Sequence, residues 1–253
     1  MKRALWLLVA AVMMFSVSSL WAQAAYNPVA EVHFNKPKPG TQYQYEEARK
    51  RHMAWHRSQN DKWTWVTWEI LTGPNTGSFV IASPGHHWTE FDGREQFQEA
   101  DTVDANRNMA GLLDEQGMSY WIQRVDLSHN PNWDKPAKLI TITRYWIDPA
   151  SVAQFTDAIK KINAGMDKVK YPAKPSRWFQ LANGGDGPQF VLHTDRAGMA
   201  DMEPLDKSVD DAMGDAYGKS EGAAIMESLR KSIKRVQTEL RAYRPDLSYS
   251  PGK

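Results

Sequence analysis

Apolar positions along this chain alternate between two periods, and the alternation recurs. Val152, Phe155, Ile159, Ile162, Met166 and Val169 keep to one stripe at helical spacing, as do Ile225, Leu229, Ile233 and Val236. Both segments are therefore predicted to be helices with one buried face. Between such segments lie short β-branched and aromatic runs bounded by glycine, asparagine and proline, which predict strands. In order, the expected elements are a strand at 29–34, a helix at 42–59, strands at 63–71 and 78–83, a helical region at 94–116 and a strand at 120–127. The order then repeats at 139–146, 151–169, 178–182, 189–194, 205–235 and 239–243. Gly73-Pro74-Asn75-Thr76-Gly77 and Gly184-Gly185-Asp186-Gly187 fall at the same place in each series and have hairpin chemistry.

The repetition reads as an internal duplication. At an offset of 111 residues Phe34 meets Tyr145, Trp68 meets Phe179, Ile70 meets Leu181, Gly73 meets Gly184, and Phe79-Val80 meet Phe190-Val191. The order βαββαβ, twice, is that of a duplicated ferredoxin-like unit, an α+β fold with helices on one face of each antiparallel sheet. The first unit is expected over 25–129, a linker with Pro131 and Pro136 over 130–137, and the second unit over 138–253.

Such tandem units resemble the dimeric α/β-barrel superfamily, in which two sheets pair into a barrel. The closing stretch from Val236 to Tyr249 is similar to the last strand and tail of NIPSNAP-like and related barrels. The resemblance implies that both sheets pair within one chain, so that an obligate dimer is not required, although a homo-oligomer remains an expected partner. It carries no diagnostic catalytic motif. Members include cofactor-independent monooxygenases, haem-dependent enzymes, lyases and proteins of no known activity, so fold transfers better than function.

The first 24 residues read as a cleavable secretory signal. Lys2 and Arg3 precede an uncharged apolar run from Ala4 to Phe15, and Ala22-Gln23-Ala24 completes a small-x-small site, which places the cut after Ala24. A periplasmic or secreted protein is expected, with no membrane span in the mature chain. The absence of cysteine excludes disulfides, thiolate metal sites, a thiol nucleophile and lipid attachment through a lipobox. Loss of Lys2 and Arg3 leaves 29 basic residues against 30 acidic ones, a balance that gives no reason to expect nucleic-acid binding.

Candidate chemistry centres on histidine. His52 and His56 stand four apart, so a helix puts them on one face, and the topology brings them toward His86 and His87 at the end of the third strand. At an offset of 110 they match Ile162 and Met166 on the apolar stripe of the second half. Neutral imidazoles are common ligands of transition metals. These four histidines are the candidate catalytic or metal-binding residues, although paired helix histidines are more commonly exposed or satisfied core groups. His-Met-Ala-Trp-His lacks the glutamate of the zinc-peptidase motif. Haem of the kind held by barrel relatives would need a ligand from a later helix, and no histidine occurs over 94–116 or 205–235.

Tryptophan is the other conspicuous residue. Along the strand Trp63 and Trp65 point to one face and Trp68 to the other, so they cannot all line one pocket. Trp55, Trp65, Trp88, Tyr45 and Arg144 are the candidate ligand-binding residues, Arg144 as an anchor for an anionic group. G-x-S-x-G, G-K-[ST] and G-x-G-x-x-G motifs are missing, and the acidic run over 201–215 lacks the order of a calcium loop. The reading that follows is an envelope protein that binds a small apolar or aromatic molecule between its sheets, or an accessory module, with no cofactor. The alternative is a cofactor-independent oxygenase or lyase, or a histidine-ligated transition-metal enzyme, acting on such a molecule.

Overall fold

The computed structural model describes residues 27–133 and 135–252. The expected signal and its cut after Ala24 lie outside the described residues. Among the described residues no helix is long and apolar enough to cross a membrane.

Eight strands are described: β1 (Val29–Pro37), β2 (Val66–Ile70), β3 (Phe79–His86), β4 (Leu113–His129), β5 (Leu139–Ile147), β6 (Ser176–Asn183), β7 (Gln189–Arg196) and β8 (Ile233–Tyr243). They close into one barrel in the order β1-β3-β2-β8-β5-β7-β6-β4. Each half contributes four contiguous antiparallel strands in the ferredoxin-like order, β4-β1-β3-β2 and β8-β5-β7-β6. Two seams join them: Trp68 and Ile70 of β2 pair with Tyr243 and Arg241 of β8, and β4 runs beside β6 from Tyr120↔Asn183 to His129↔Ser176. The two sheets of the expected fold thus pair inside a single chain and leave neither with a free edge.

Strand alternation sorts side chains to two faces. Ala30, Trp68, Trp121, Ile140, Ile142 and Val191 pack inside the barrel. On the outside the first unit is covered by α1 (Gln42–Ser58) and α3 (Glu95–Met109), with the short α2 (Trp88–Asp92) between β3 and α3. The second unit is covered by α4 (Val152–Lys168), α5 (Val209–Tyr217) and α6 (Lys219–Ser232). As expected, Trp63 and Trp65 lie in the helix-side core and Trp68 in the barrel.

Helices α1 and α4 are equivalent to the residue: each has 17 residues, and they begin and end 110 positions apart. They also stop in the same way. After α1, Asn60 takes φ 51°, its N–H bonds to Arg57 O, and the Asp61 N–H bonds to His56 O. After α4, Lys170 takes φ 52°, with the same bonds from Lys170 to Asp167 O and from Tyr171 to Met166 O. Both are Schellman turns, in which a left-handed residue lets the chain fold back over the last helical carbonyls.

Several boundaries differ from the sequence reading: the strand expected over 63–71 starts at Val66, so Trp63 and Trp65 precede it, and the helix expected from 205 starts at Val209. The helix expected over 94–116 ends at Met109, and β4 starts at Leu113 rather than at 120. Leu113, Glu115 and Gln116 favour helix, but Asn35 and Lys36 of β1 pair with Gln116 and Glu115, and that ladder overrides local propensity. The helix expected over 205–235 is broken at Gly218 (φ 85°) into α5 and α6, and Ile233 opens β8 instead of continuing the stripe. Val236, assigned to the buried stripe, is half exposed on that strand.

Candidate metal centre

Helix α1 presents Tyr45, Arg49, His52 and His56 on its buried face. The same positions on α4 hold Phe155, Ile159, Ile162 and Met166, which pack as ordinary core. The scaffold therefore fills this layer with hydrocarbon in one unit and with ionisable groups in the other.

The Nε2 atoms of His52 and His56 lie 3.2 Å apart. Asp101 of α3 brings its Oδ1 to 3.1 Å from the first and 3.3 Å from the second. Each ring is fixed from behind by a carboxylate: His52 Nδ1 lies 2.8 Å from Asp104 Oδ2, and His56 Nδ1 lies 2.8 Å from Asp61 Oδ2. An ionised carboxylate only accepts, so both Nδ1 atoms carry the hydrogen, and in the neutral form each ring turns an Nε2 lone pair inward. Three acceptors then converge on one point, and Asp101 Oδ1 has no hydrogen-bond partner there. Together the three residues form a group with metal-ligand spacing. A cation about 2.1 Å from each atom, an ordinary metal–nitrogen or metal–oxygen distance, would see them about 100° apart.

Asp61 is the keystone behind His56, and the Schellman turn at Asn60 delivers it there. It accepts from the Trp63 backbone N–H (3.0 Å) and Trp65 Nε1 (2.9 Å), and pairs with Arg94, whose Nη1 is 2.7 Å from Oδ1. Burial would raise its pKa, but the hydrogen bonds from His56, Arg94, Trp63 and Trp65 outweigh burial and hold the carboxyl well below the usual range. Burial is also the largest influence on His52 and lowers its pKa, which favours the neutral ring that a metal needs. From the far end of the chain Tyr249 stacks on His56 at 5.9 Å and donates its hydroxyl to Asp61 O at 2.8 Å, so the tail of the second unit supports the site of the first.

His52, His56 and Asp101 line a cavity of about 360 Å³ between the helices and the outer face of β1, walled also by Asn35, Arg49, Trp65, Ile81, Asn106 and Met109.

The residues expected from sequence fall in several places. His52 and His56 come together, whereas His86 stacks on Trp63 at 3.6 Å and lies 2.8 Å from Ser83 Oγ, and His87 caps α2. Trp63 and Trp65 stand between His86 and His56, which is why the four histidines do not form one cluster. Trp65 lines the cavity; Trp55 stacks on His52 from outside; Tyr45 is fully buried and accepts from Asn35 Nδ2; Trp88 lies at the surface against Phe91 and Tyr120. Arg144 faces a different space, the barrel interior, a cavity of about 930 Å³. Asp101, Asp104, Asp61 and Arg49 were not singled out by sequence. Only Arg49 and Asp61 carried a local signal, a charge on the stripe of α1 and a residue after its stop.

No family description and no curated protein sequence matches the chain. Its fold, however, is that of dimeric α/β barrels. A candidate monooxygenase of Lactobacillus acidophilus NCFM superposes with TM-score 0.54 at 9% identity, over 90% of this chain and 98% of the other. An anthrone oxidase-like protein gives 0.58 at 10% identity, over 90% and 94%. A mutant chlorite dismutase from Candidatus Nitrospira defluvii gives 0.53 at 10% identity, over 86% and 92%.

Proposed function

We propose that the protein is an exported metal-dependent enzyme of the oxygenase type, with His52, His56 and Asp101 as its metal ligands. The observation that carries this is the inward convergence of three acceptor atoms at helix positions that the second unit fills with Ile162 and Met166. The fold needs no polar group there. Three acceptors facing one another repel unless a proton or a cation sits among them, and only a cation satisfies all three. A divalent first-row metal in a two-histidine, one-carboxylate set would supply Lewis-acid and one-electron chemistry, with positions left for substrate on the cavity side. The names of two structures with the same fold, a candidate monooxygenase and an anthrone oxidase-like protein, support oxidation as the reaction class.

The chain's own groups do the rest. Asp104 and Asp61 hold the imidazole tautomers, as carboxylates behind metal-bound histidines do. Trp65, Ile81 and Met109 give the cavity an apolar wall that limits water at the centre. The signal-like first 24 residues and the absence of cysteine support export, and the ligand set suits an oxidising compartment. Protein loaded with Fe(II) under anaerobic conditions should bind one ion per chain and consume oxygen when small aromatic substrates are added. Metal binding without oxygen use would leave a Lewis-acid lyase, and no metal binding would remove the proposal.

The barrel interior supports a second, separate reading, a binding site for a ligand with an anionic head. Arg144 donates to the neutral Gln189 Oε1 at 3.2 Å and lies near the Trp121 and Trp146 rings, while the neighbouring Arg177 and Arg241 are paired with Asp195 and Glu239. Burial, with Arg241 beside it, pulls the Arg144 pKa down to about 10, and Glu239, the carboxylate nearby, is already paired with Arg241. Native mass spectrometry of protein from the envelope fraction tests for a retained anionic ligand. An empty barrel that also shows no tryptophan quenching by aromatic carboxylates would sink the reading.

A further inference from the structure

Glu31 and His33 stand two apart on β1, so both side chains leave the strand on the same side, and His33 lines the cavity that His52, His56 and Asp101 line from the helices. His33 Nε2 lies 2.6 Å from Glu31 Oε1. Glu31 is 4% exposed, its Oε2 has no hydrogen-bond partner, and among the described residues its one ion-pair partner is His33. Burying a carboxylate is costly unless a cation answers it, and strand packing alone gives no reason to bury one here. The second unit shows as much. Thr141 and Thr143 stand at the equivalent positions of β5, where Thr143 pairs with Leu192 of β7 as His33 pairs with Ile81 of β3.

With Glu31 ionised, Nε2 of His33 carries the hydrogen and Nδ1 carries the lone pair. That nitrogen is open. Among the described residues it has no hydrogen-bond partner, and 34% of the His33 side chain is exposed. His33 is not one of the residues whose ligand atoms lie within 4.8 Å of one another, so it stands beside the ligand set and not in it. Trp65 links the two, its ring 5.9 Å from that of His33 and 5.5 Å from that of His56. Apart from the ligand set, the charged group on the cavity wall is Arg49 of α1, while Ile81, Gln116, Gly117 and Met118 from β3 and β4 carry no charge. Behind the wall, the charge of Glu31 reaches His86 of β3 and Tyr120 of β4. An imidazole with a carboxylate at one nitrogen and a free lone pair at the other is built to take a proton. The carboxylate orients the ring, fixes the tautomer and stabilises the imidazolium that forms.

We infer that His33 is the proton acceptor of this centre, with Glu31 as its positioning residue, and that the substrate it serves is an O–H acid of the phenol or hydroxamic acid kind. This rests on the cavity being the active site proposed above. The substrate O–H bond breaks, its hydrogen joins Nδ1 of His33, and the electron pair stays on the substrate oxygen, which remains as an anion beside His52, His56 and Asp101. Glu31 meets the charge of the new imidazolium.

Benzohydroxamic acid, an aromatic O–H acid that binds metal ions as its anion, tests this on the full chain loaded with Zn(II). Calorimetry in HEPES and in Tris, whose ionisation enthalpies differ, counts the protons passed to buffer at about pH 7.5, above the ordinary histidine pKa of about 6.5. Wild type should pass almost none, because His33 keeps the proton. His33→Thr, which installs the residue of the second unit, should pass about one per hydroxamate bound, and Glu31→Gln should move the count the same way. Azide, which arrives already ionised, should bind wild type and His33→Thr alike. Should His33→Thr fail to fold, His33→Gln is read in its place. Equal proton counts with and without His33 overturn the inference, as does loss of azide binding on substitution, which would mark a structural role. An unchanged count in Glu31→Gln removes Glu31 from it. Metal content is read separately. A chain that binds no Zn(II) refutes the metal centre and this role with it, whereas one that binds Zn(II) and passes the same count without His33 refutes the role alone.

Discussion

His52 on α1 and Ile162 on α4 occupy the same position of two helices of equal length, and only the first brings a ring nitrogen, Nε2, to 3.1 Å from a carboxylate oxygen, Asp101 Oδ1. The duplicated scaffold thus contains its own control. What one unit needs for packing alone is visible in the other, and the residues that depart from it mark the chemistry. Arg49 against Ile159 and Asp61 against Tyr171 repeat the contrast.

Carboxylates behind metal-bound histidines set ring orientation and basicity. Asp104→Asn keeps the shape at His52 and the contact with Asn108, but removes the charge that fixes the His52 tautomer. Metal affinity should fall about 10- to 100-fold with little change in Tm. Competition against a chromophoric chelator measures it, and an unchanged affinity would mean that Asp104 plays no part at the centre.

Damage at the α5–α6 contact of the second unit should leave the site intact. Gly222 of α6 touches α5 so closely that a Cβ there would lie 2.6 Å from the Met213 carbonyl carbon and oxygen, both backbone atoms. Gly222→Ala should cost about 1–3 kcal/mol or more and lower Tm by several degrees. Metal stoichiometry should stay at the wild-type value while the protein is folded. Thermal denaturation beside metal analysis separates the two effects.

Acid sensitivity should come partly from the barrel interior. Burial lowers the pKa of His193 well below its ordinary value, and the charges of Arg241, Arg177 and Arg144 push in the same direction. Between the folded and unfolded values the unfolded chain binds the extra proton, so stability rises with pH there. The contribution is complete above an ordinary histidine pKa of about 6.5 and is lost progressively as pH falls below it. His193→Phe, which keeps a ring against Phe179, should flatten the stability curve below about pH 6.5 and leave it unchanged at pH 8. Urea melts of both proteins from pH 5 to 8 check this, and parallel curves would contradict it.

Much of this was legible in the chain, and the reasons for the rest are physical. Period and turn chemistry reveal the duplication because each unit must bury one helix face and one sheet face. The pairing of His52 with His56 follows from helical geometry alone. Asp101 and Asp104 could not be read, because they reach the histidines across the α1–α3 interface from about 50 residues away, and a polar helix gives no register against its neighbour. His86 seemed to belong with the pair because strand and helix end at the same side of the sheet. The two tryptophans that separate them are placed by packing, which periodicity does not describe. The start of β4 was hidden because its residues favour helix and only the partner strand makes them extended.

The most direct measurement is the metal stoichiometry of the protein beside that of a His52→Ile, His56→Met double variant, which copies the second unit into the first. Equilibrium dialysis with Fe(II) or Zn(II) should give one ion per wild-type chain and a higher Tm when the ion is bound. The double variant should fold, melt at or above the metal-free wild type, and bind none. A wild-type chain that binds no ion, or a double variant that binds as well as the wild type, would contradict the account.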